Sequence, residues 1–326
     1  MKALISIVLL LLTYSSLAIE SVAPMPFAAA DTELMIPVEG GKVYVRVNGG
    51  LDKGDIPVIF LHGGPGLRHN SLAGLLGLAD ERPVILYDQL DGGKSDQPND
   101  PKNWRMERFI LELEAIRKAL GVDRFHIVGH SWGSAIALEY SVKYPQRVAS
   151  TVLAGTFIST PHWVADANIL VNEAPKATQR LLSACESNSP PSEQQCEKAF
   201  TTLYSKYYRS PPTSLERSIY DTKTGGESLN LAIYNGMWGP SEFSSTGTLT
   251  NYNAVPLLNK IDGNKTLFMI GQYDSARIDT VQDFVEKTPG AELAVIPGGA
   301  HGFLSDRPLI SEAVLRSWFR RNEPSH

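Results

Sequence analysis

Residues that bind metals or nucleotides are scarce in this 326-residue sequence. It has two cysteines, Cys185 and Cys196, and its seven histidines form no cluster with zinc spacing. It contains neither a G-x-x-x-x-G-K-[ST] segment nor a G-x-G-x-x-G segment after a strand, so the common phosphate-binding loops are absent. We therefore expect no metal and no nucleotide cofactor.

Clusters of basic residues are absent as well. The net charge is −5, with 43% hydrophobic and 20% charged residues, which is the composition of a soluble globular protein. Nucleic acid is therefore not an expected partner. The length suits either one large domain or a core that carries an insertion. The sequence does not determine the oligomeric state.

The N-terminus has the three parts of a secretory signal peptide. Lys2 precedes the apolar run 3–12, and Ser16-Leu17-Ala18 supplies a small-x-small cleavage site. The apolar run is too short to span a membrane comfortably, and no cysteine follows Ala18 to carry a lipid. We expect residues 1–18 to be a cleaved signal peptide, and the mature chain to be periplasmic or secreted without a membrane anchor.

The two cysteines are consistent with export. Cys185 and Cys196 lie eleven positions apart in a polar stretch. In an oxidising compartment two such cysteines usually pair, and the small loop so closed would stabilise the fold by about 2–3 kcal/mol. The alternative is two free thiols, which exported proteins tend to avoid.

Strand and helix patterns alternate along most of the chain. Short apolar runs predict strands at 43–47, 57–62, 82–88, 125–128, 149–155, 266–274 and 292–301, and apolar stripes predict helices at 106–120, 135–144 and 309–320. The first of these strands alternates as a half-buried strand would. The alternation predicts an α/β fold, a mostly parallel sheet with helices on both faces. Residues 156–245 contain no convincing core strand, so we expect a helical cap inserted between core segments 19–155 and 246–326.

Ser131 stands between glycines where a predicted strand meets a predicted helix. The segment G-H-S-W-G at 129–133 is open to two interpretations. One is an ordinary turn, since glycine and serine are common turn residues. The other is a nucleophile elbow, in which the flanking glycines permit a crowded turn that exposes the serine hydroxyl above the sheet.

Two further strand-end loops supply partners for this serine. Asp274 follows the strand pattern at 266–274, and His301 follows the one at 292–301 between glycines. The order Ser, Asp, His along the chain is that of α/β-hydrolases. His301 would take the Ser131 proton and Asp274 would orient the imidazole. The tetrahedral oxyanion would be bound by the backbone N–H groups of Trp132 and of Gly64.

Four segments resemble the proline iminopeptidase family of α/β-hydrolases. They are HGGPG at 62–66, YDQLDGGKSD at 87–96, GHSWGS at 129–134 and WGPSEFSSTGTL at 238–249. The similarity is greatest to the branch of tricorn-interacting aminopeptidases and L-amino acid amidases. It implies metal-independent hydrolysis of the amide bond after a free N-terminal residue, often proline or another apolar residue. It also implies that Glu242 binds the substrate's α-ammonium group.

Three residues depart from the family pattern. Ser134 replaces the usual second glycine after the serine's neighbour, and Asp91 stands where many members have glycine, which suggests a structural role. Ser275 follows Asp274 where the aminopeptidase branch often has a glutamate that helps hold the amine. This last difference weakens the case for strict aminopeptidase specificity.

The substrate class is therefore open at the level of the sequence. The leading hypothesis is a serine aminopeptidase acting on small peptides or amino-acid amides. The alternatives are an esterase, lactonase or amidase without a free-amine requirement, and a non-catalytic binding protein on the same fold. The aromatic residues of 156–245 either line an apolar pocket or pack the cap's own core.

The signal-peptide hypothesis predicts that the exported protein begins at Ile19. Mass spectrometry of the protein recovered from the producing cell should give the mass of residues 19–326 less two hydrogens, because the thiols of Cys185 and Cys196 are expected to be oxidised. An intact N-terminus in the recovered protein would contradict the expected compartment.

Overall fold

The computed structural model describes residues 29–53, 55–185, 187, 189–207, 229–241 and 243–323. The expected signal peptide and its cleavage site at Ala18 lie outside these residues, and so does Glu242.

Eight strands of the described residues form a single sheet. They are β1 Thr32–Val38, β2 Gly41–Asn48, β3 Val58–Leu61, β4 Val84–Tyr87, β5 Phe125–His130, β6 Val148–Ala154, β7 Thr266–Gly271 and β8 Glu292–Ile296. Their spatial order is β1-β2-β4-β3-β5-β6-β7-β8. The β1–β2 and β2–β4 pairs are antiparallel and the other five are parallel. The predicted mostly parallel sheet is confirmed.

The described residues contain nine helices. They are α1 Met106–Ala119, α2 Trp132–Lys143, α3 Thr160–Glu173, α4 Lys176–Cys185, α5 Glu193–Tyr207, α6 Leu231–Met237, α7 Ile278–Glu286, α8 Phe303–Asp306 and α9 Pro308–Arg321. The described connections also contain five short 3-10 turns and a longer 3-10 segment, His69–Asp80. Among the residues described, no helix has the length and apolar character needed to cross a membrane.

The central strands are apolar along their whole length because both of their faces are covered. In β3, Ile59 and Leu61 pack with α1, α2 and α7, whereas Val58 and Phe60 pack with the 3-10 segment His69–Asp80 and α9. All four side chains are buried. This two-sided burial is the reason why such strands appear in the sequence as continuous apolar runs.

Strand β2 differs from the half-buried strand that its alternating sequence predicts. The side chains of Tyr44 and Arg46 are buried as fully as those of the valines beside them. The Tyr44 ring packs 5.1 Å from that of His69, and the Arg46 guanidinium donates to the Asn48 side chain at 2.9 Å. The second face of β2 is therefore covered, with the polar ends of its side chains hydrogen-bonded, and the prediction of a half-exposed strand was wrong.

Helices α3 to α6 lie between β6 and β7, in the stretch predicted to be a cap. Helices α4 and α5 pack around a small apolar cluster that is separate from the two sheet cores and includes Leu182 and Leu203. The disulfide Cys185–Cys196 joins the end of α4 to α5. It therefore links two helices of the insertion.

Candidate active site

Ser131 occupies a strained turn between β5 and α2. Strand β5 ends at His130 and helix α2 begins at Trp132, so Ser131 alone makes the turn, with φ 54° and ψ −124°. A non-glycine residue in this region costs about 1–3 kcal/mol, which the surrounding structure must supply. The Ser131 N–H donates to the Ala154 carbonyl at the end of β6, at 2.9 Å. The turn is therefore fastened to the neighbouring strand.

The two glycines of the turn are required by close backbone contacts. A Cβ atom on Gly129 would lie 2.1 Å from the carbonyl oxygen of Gly133. A Cβ atom on Gly133 would lie 2.3 Å from the carbonyl oxygen of Leu61 in β3. Any side chain at either position would push helix α2 away from the sheet. The nucleophile-elbow interpretation thus has a direct steric basis.

Ser134 strengthens this turn. Its hydroxyl donates to the Ser131 carbonyl at 2.6 Å and accepts from the Phe157 N–H at 2.9 Å. A glycine at this position would make neither bond. The departure from the family pattern at Ser134 therefore adds a link between the turn and the loop after β6.

Asp274 and His301 are brought together by adjacent strands. Asp274 follows β7 and His301 follows β8, and these strands are parallel neighbours. The His301 Nδ1 atom lies 2.7 Å from Asp274 Oδ1, and both side chains are buried. Asp274 Oδ1 also accepts from the Ala276 N–H at 2.9 Å, which fixes the carboxylate. His301 and Ser131 line the same cavity.

Two further aspartates near β7 in the sequence, Asp262 and Asp279, are bonded elsewhere. Asp262 caps a 3-10 turn by accepting from the Asn264 N–H at 3.1 Å. Asp279 is exposed and pairs with Arg277 at 3.2 Å. Of these three aspartates, the one bonded to His301 is Asp274.

His130 and Trp163 enclose the His301 ring, and the sequence argument did not assign them this role. The His130 ring is 4.8 Å from that of His301, and the Trp163 ring meets it edge-on at 5.3 Å. His130 Nε2 donates to the His301 carbonyl at 2.8 Å. Burial, with the nearby His301 ring, lowers the pKa of His130 to about 4. A neutral His130 adds no positive charge beside the imidazolium that would form on His301.

Gly155 leaves room for these rings. Its φ is 51°, and a Cβ atom there would lie 3.0 Å from His301 Cε1 and 3.2 Å from His130 Nε2. Gly155 ends the predicted strand 149–155, and His130 lies inside G-H-S-W-G. These two positions were the sequence signals that could have identified Gly155 and His130.

The two expected oxyanion-binding residues flank Ser131. Gly64 has φ 111°, precedes a cis peptide bond to Pro65, and lines the cavity. A Cβ atom on the preceding Gly63 would be 3.1 Å from Ser131 Cβ, so this loop lies against the serine. Trp132 is the first residue of α2, where backbone N–H groups have no intrahelical acceptor. The role of the Gly64 and Trp132 N–H groups as oxyanion donors stays a prediction.

The cavity above Ser131 is about 230 Å³ in volume and largely apolar. Its aromatic wall is formed by Phe157, Trp163, Tyr234 and Trp238. Trp163 and Trp238 also belong to the apolar core that includes α1 and α2, so these side chains both line the pocket and pack the fold. Among the described residues that line the cavity, none is acidic or carries a basic lysine or arginine side chain.

The remaining predicted residues have the following positions. Asp91 has φ 66°, and its carboxylate accepts from the Asn99 N–H and the Trp104 indole N–H, in agreement with a structural role. Ser275 is buried beside Asp274. Within the described ranges, no group of three or more His, Cys, Asp or Glu residues is arranged to hold a metal ion.

The fold and the three strand-end loops define an α/β-hydrolase. The model of the alpha/beta hydrolase fold family matches residues 56–308, a segment that includes Ser131, Asp274 and His301. The crystal structure of VinJ shares the fold, with a TM-score of 0.82 and 24% identity, and the match covers 90% of this chain and all of that one.

The similarity extends to one family within this class. Proline iminopeptidase of Heyndrickxia coagulans is 38% identical over 287 residues, which cover 87% of this chain and 97% of that protein. The crystal structure of proline iminopeptidase from Mycobacterium smegmatis has a TM-score of 0.78 and 28% identity, over 89% of this chain and 98% of that one. The chain belongs to the proline iminopeptidase family.

The close backbone contacts at the turn predict severe effects of Gly129→Ala and Gly133→Ala. Each should lower the free energy of unfolding by about 3 kcal/mol, the upper end of overpacking effects, and should abolish labelling of Ser131 by a fluorophosphonate. Chemical denaturation and mass spectrometry measure the two effects.

Gly121→Ala is the matched control for these variants. Gly121 has φ 65°, but no atom lies within 4 Å of its added Cβ, so the expected loss is about 1–2 kcal/mol of backbone strain with labelling retained. If Gly133→Ala were as stable and as reactive as Gly121→Ala, the crowded-turn interpretation would be wrong.

Proposed function

We propose that this protein is an exported serine aminopeptidase that releases N-terminal proline or another apolar residue from small peptides or amino-acid amides. The observation that carries the proposal is the Asp274–His301 pair, bonded at 2.7 Å, whose histidine lines the same cavity as Ser131 on its strained turn. Membership of the proline iminopeptidase family supports the choice of substrate class.

The reaction begins with attack by the Ser131 hydroxyl on the carbonyl carbon of the first residue. Serine is a poor nucleophile at neutral pH, so His301 Nε2 takes its proton as the new C–O bond forms. Asp274 holds the proton on Nδ1 and stabilises the imidazolium. The imidazolium then protonates the departing amine as the C–N bond breaks, which leaves an acyl-enzyme ester. Water, activated by the same histidine, hydrolyses this ester.

Negative charge develops on the carbonyl oxygen in both steps. The backbone N–H groups of Gly64 and Trp132 would bind it, and one such donor is worth about 2.7–4 kcal/mol of transition-state stabilisation. Both positions lie in or beside the apolar cavity, where the exclusion of water strengthens electrostatic interactions.

Substrate selection rests on the apolar pocket and on Glu242. The aromatic wall suits a proline ring or another apolar side chain. The described lining residues supply no carboxylate for the substrate's ammonium group, and the family resemblance assigns that contact to Glu242. Its neighbour Ser241 accepts from the indole N–H of Trp238, a residue of the pocket wall, at 2.7 Å.

Export is the remaining part of the proposal. The signal-like N-terminus supports it, and so does the Cys185–Cys196 disulfide, since such bonds persist in oxidising compartments. Mass spectrometry that determines whether the mature N-terminus is Ile19 tests this part of the proposal.

Ser131→Ala should abolish hydrolysis and leave the fold intact. The turn requires a small residue and not a hydroxyl, so kcat for an aminoacyl anilide should fall about 10⁴-fold or more, while the melting temperature stays close to that of the wild type. Ser189→Ala, at an exposed serine between α4 and α5, is the control. Activity that survives in purified Ser131→Ala would show that the nucleophile is another residue.

Glu242→Gln should reduce kcat/KM for free-amine substrates far more than for simple esters. A lost carboxylate–ammonium pair costs about 2–5 kcal/mol, or about 30- to 5,000-fold. Wild-type activity on free-amine substrates should also fall above about pH 8 as the amine deprotonates. The measurement compares aminoacyl anilides, their N-acetylated copies and p-nitrophenyl acetate. If the wild type cleaved acetylated and free-amine substrates equally well, the aminopeptidase hypothesis would be wrong, and an esterase or amidase would be the better assignment.

A further inference from the structure

Gln89 connects the two loops that carry the expected oxyanion donors. It lies two residues after the end of β4, and its side chain is buried. The Gln89 Oε1 atom accepts from the indole N–H of Trp132 at 3.0 Å, and its Nε2 donates to the His62 carbonyl at 2.9 Å. One amide therefore holds the first residue of α2 and the first residue of H-G-G-P-G.

The backbone of Gln89 also fixes the state of the His62 ring. The Gln89 N–H donates to His62 Nε2 at 3.0 Å, so Nε2 carries a lone pair. The His62 ring is fully buried, and this burial lowers its pKa, so the ring is neutral and its single proton is on Nδ1. Nδ1 then donates to the Gly63 carbonyl at 2.8 Å.

The bond from His62 to Gly63 determines the direction of the Gly64 N–H. The Gly63 carbonyl and the Gly64 N–H belong to one planar trans peptide, in which they point to opposite sides. Holding the carbonyl towards His62 therefore directs the Gly64 N–H away from that ring. Gly63 itself lies against Ser131, because a Cβ atom added to Gly63 would be 3.1 Å from Ser131 Cβ.

We propose that Gln89 is a positioning residue that aims both oxyanion donors, the Gly64 N–H through His62 and the Trp132 N–H through the indole. The inference rests on the proposed function only in assigning those two N–H groups to the oxyanion. It does not depend on the free-amine requirement, because ester and amide hydrolysis both pass through a tetrahedral oxyanion.

Gln89→Met is the principal test. Methionine has a similar shape and no amide, so both side-chain bonds are lost while the backbone N–H bond to His62 Nε2 is kept. Because the oxyanion forms only in the transition state, kcat should fall about 10- to 100-fold with little change in KM. The fall should be similar for an aminoacyl anilide and for p-nitrophenyl acetate. Gln97→Met, at an exposed glutamine in the same connection, should leave both activities unchanged.

Inhibitor binding separates an oxyanion effect from a general loss of structure. Prolinal would form a hemiacetal with Ser131 and place an oxygen at the oxyanion position, whereas proline would bind without it. In Gln89→Met the affinity for prolinal should weaken by the same factor as kcat/KM, and the affinity for proline should stay within about twofold of the wild type. Unchanged prolinal affinity, or equal weakening for both compounds, would overturn the proposal.

Gln89→Glu provides a second variant with a distinctive pH dependence. A protonated carboxyl can accept from the Trp132 indole and donate to the His62 carbonyl as the amide does, and burial raises the pKa of such a group. Below that pKa, the kcat of Gln89→Glu should be higher than the kcat of Gln89→Met at the same pH. This difference in kcat should disappear as the pH rises and the carboxyl group ionises. Equal kcat for the two variants from pH 5 to pH 8 would show that the hydrogen bonds of the amide are not needed. If Ser131→Ala stays active, the proposed function has failed instead.

Discussion

The backbone of Ser131 is held in a conformation that a serine does not adopt freely, and much of the surrounding structure supplies the restraint. Gly129 and Gly133 allow α2 to approach the sheet so closely that their Cα hydrogens face carbonyl oxygens. The Ser131 N–H is bonded to β6, and its carbonyl is bonded to the Ser134 side chain. Contacts with the neighbouring strands and with α2 therefore hold Ser131 in its strained conformation. They keep its hydroxyl above the carboxyl end of the sheet, where the other strand-end loops meet.

The electrostatic properties of the site depend on how the His301 ring is packed and hydrogen-bonded. His301 is packed between the rings of His130 and Trp163 and bonded to the Asp274 carboxylate. Two buried histidines, His130 beside His301 and His62 in the loop after β3, have their pKa lowered by burial, so they act as fixed hydrogen-bond donors to backbone carbonyls and not as charges. The positive charge of a protonated His301 would thus have Asp274 as its near partner.

The insertion between β6 and β7 contributes the aromatic wall of the pocket, whereas Ser131, Asp274 and His301 follow strands of the sheet. Trp163 and Trp238 come from this segment, yet they pack into the same core as α1 and α2. Helices α4 and α5, with their disulfide, form a separate cluster farther along the insertion. Changes in the pocket wall should therefore alter the packing of the core, whereas α4 and α5 pack in a cluster of their own.

The sequence by itself determined the elements that depend on local signals. Apolar runs and stripes gave the central strands and three of the helices, and strand-end loops gave Ser131, Asp274 and His301, because parallel strands bring such loops to one edge. Only the tertiary structure decided the strand order, with β4 between β2 and β3, and the burial of Tyr44 and Arg46 on a face that alternation left exposed. It also decided that His130 supports His301 and that Gln89 joins His62 to Trp132. These contacts link loops that are far apart in the chain, and their geometry is set by sheet order and side-chain packing, which no short stretch of sequence encodes.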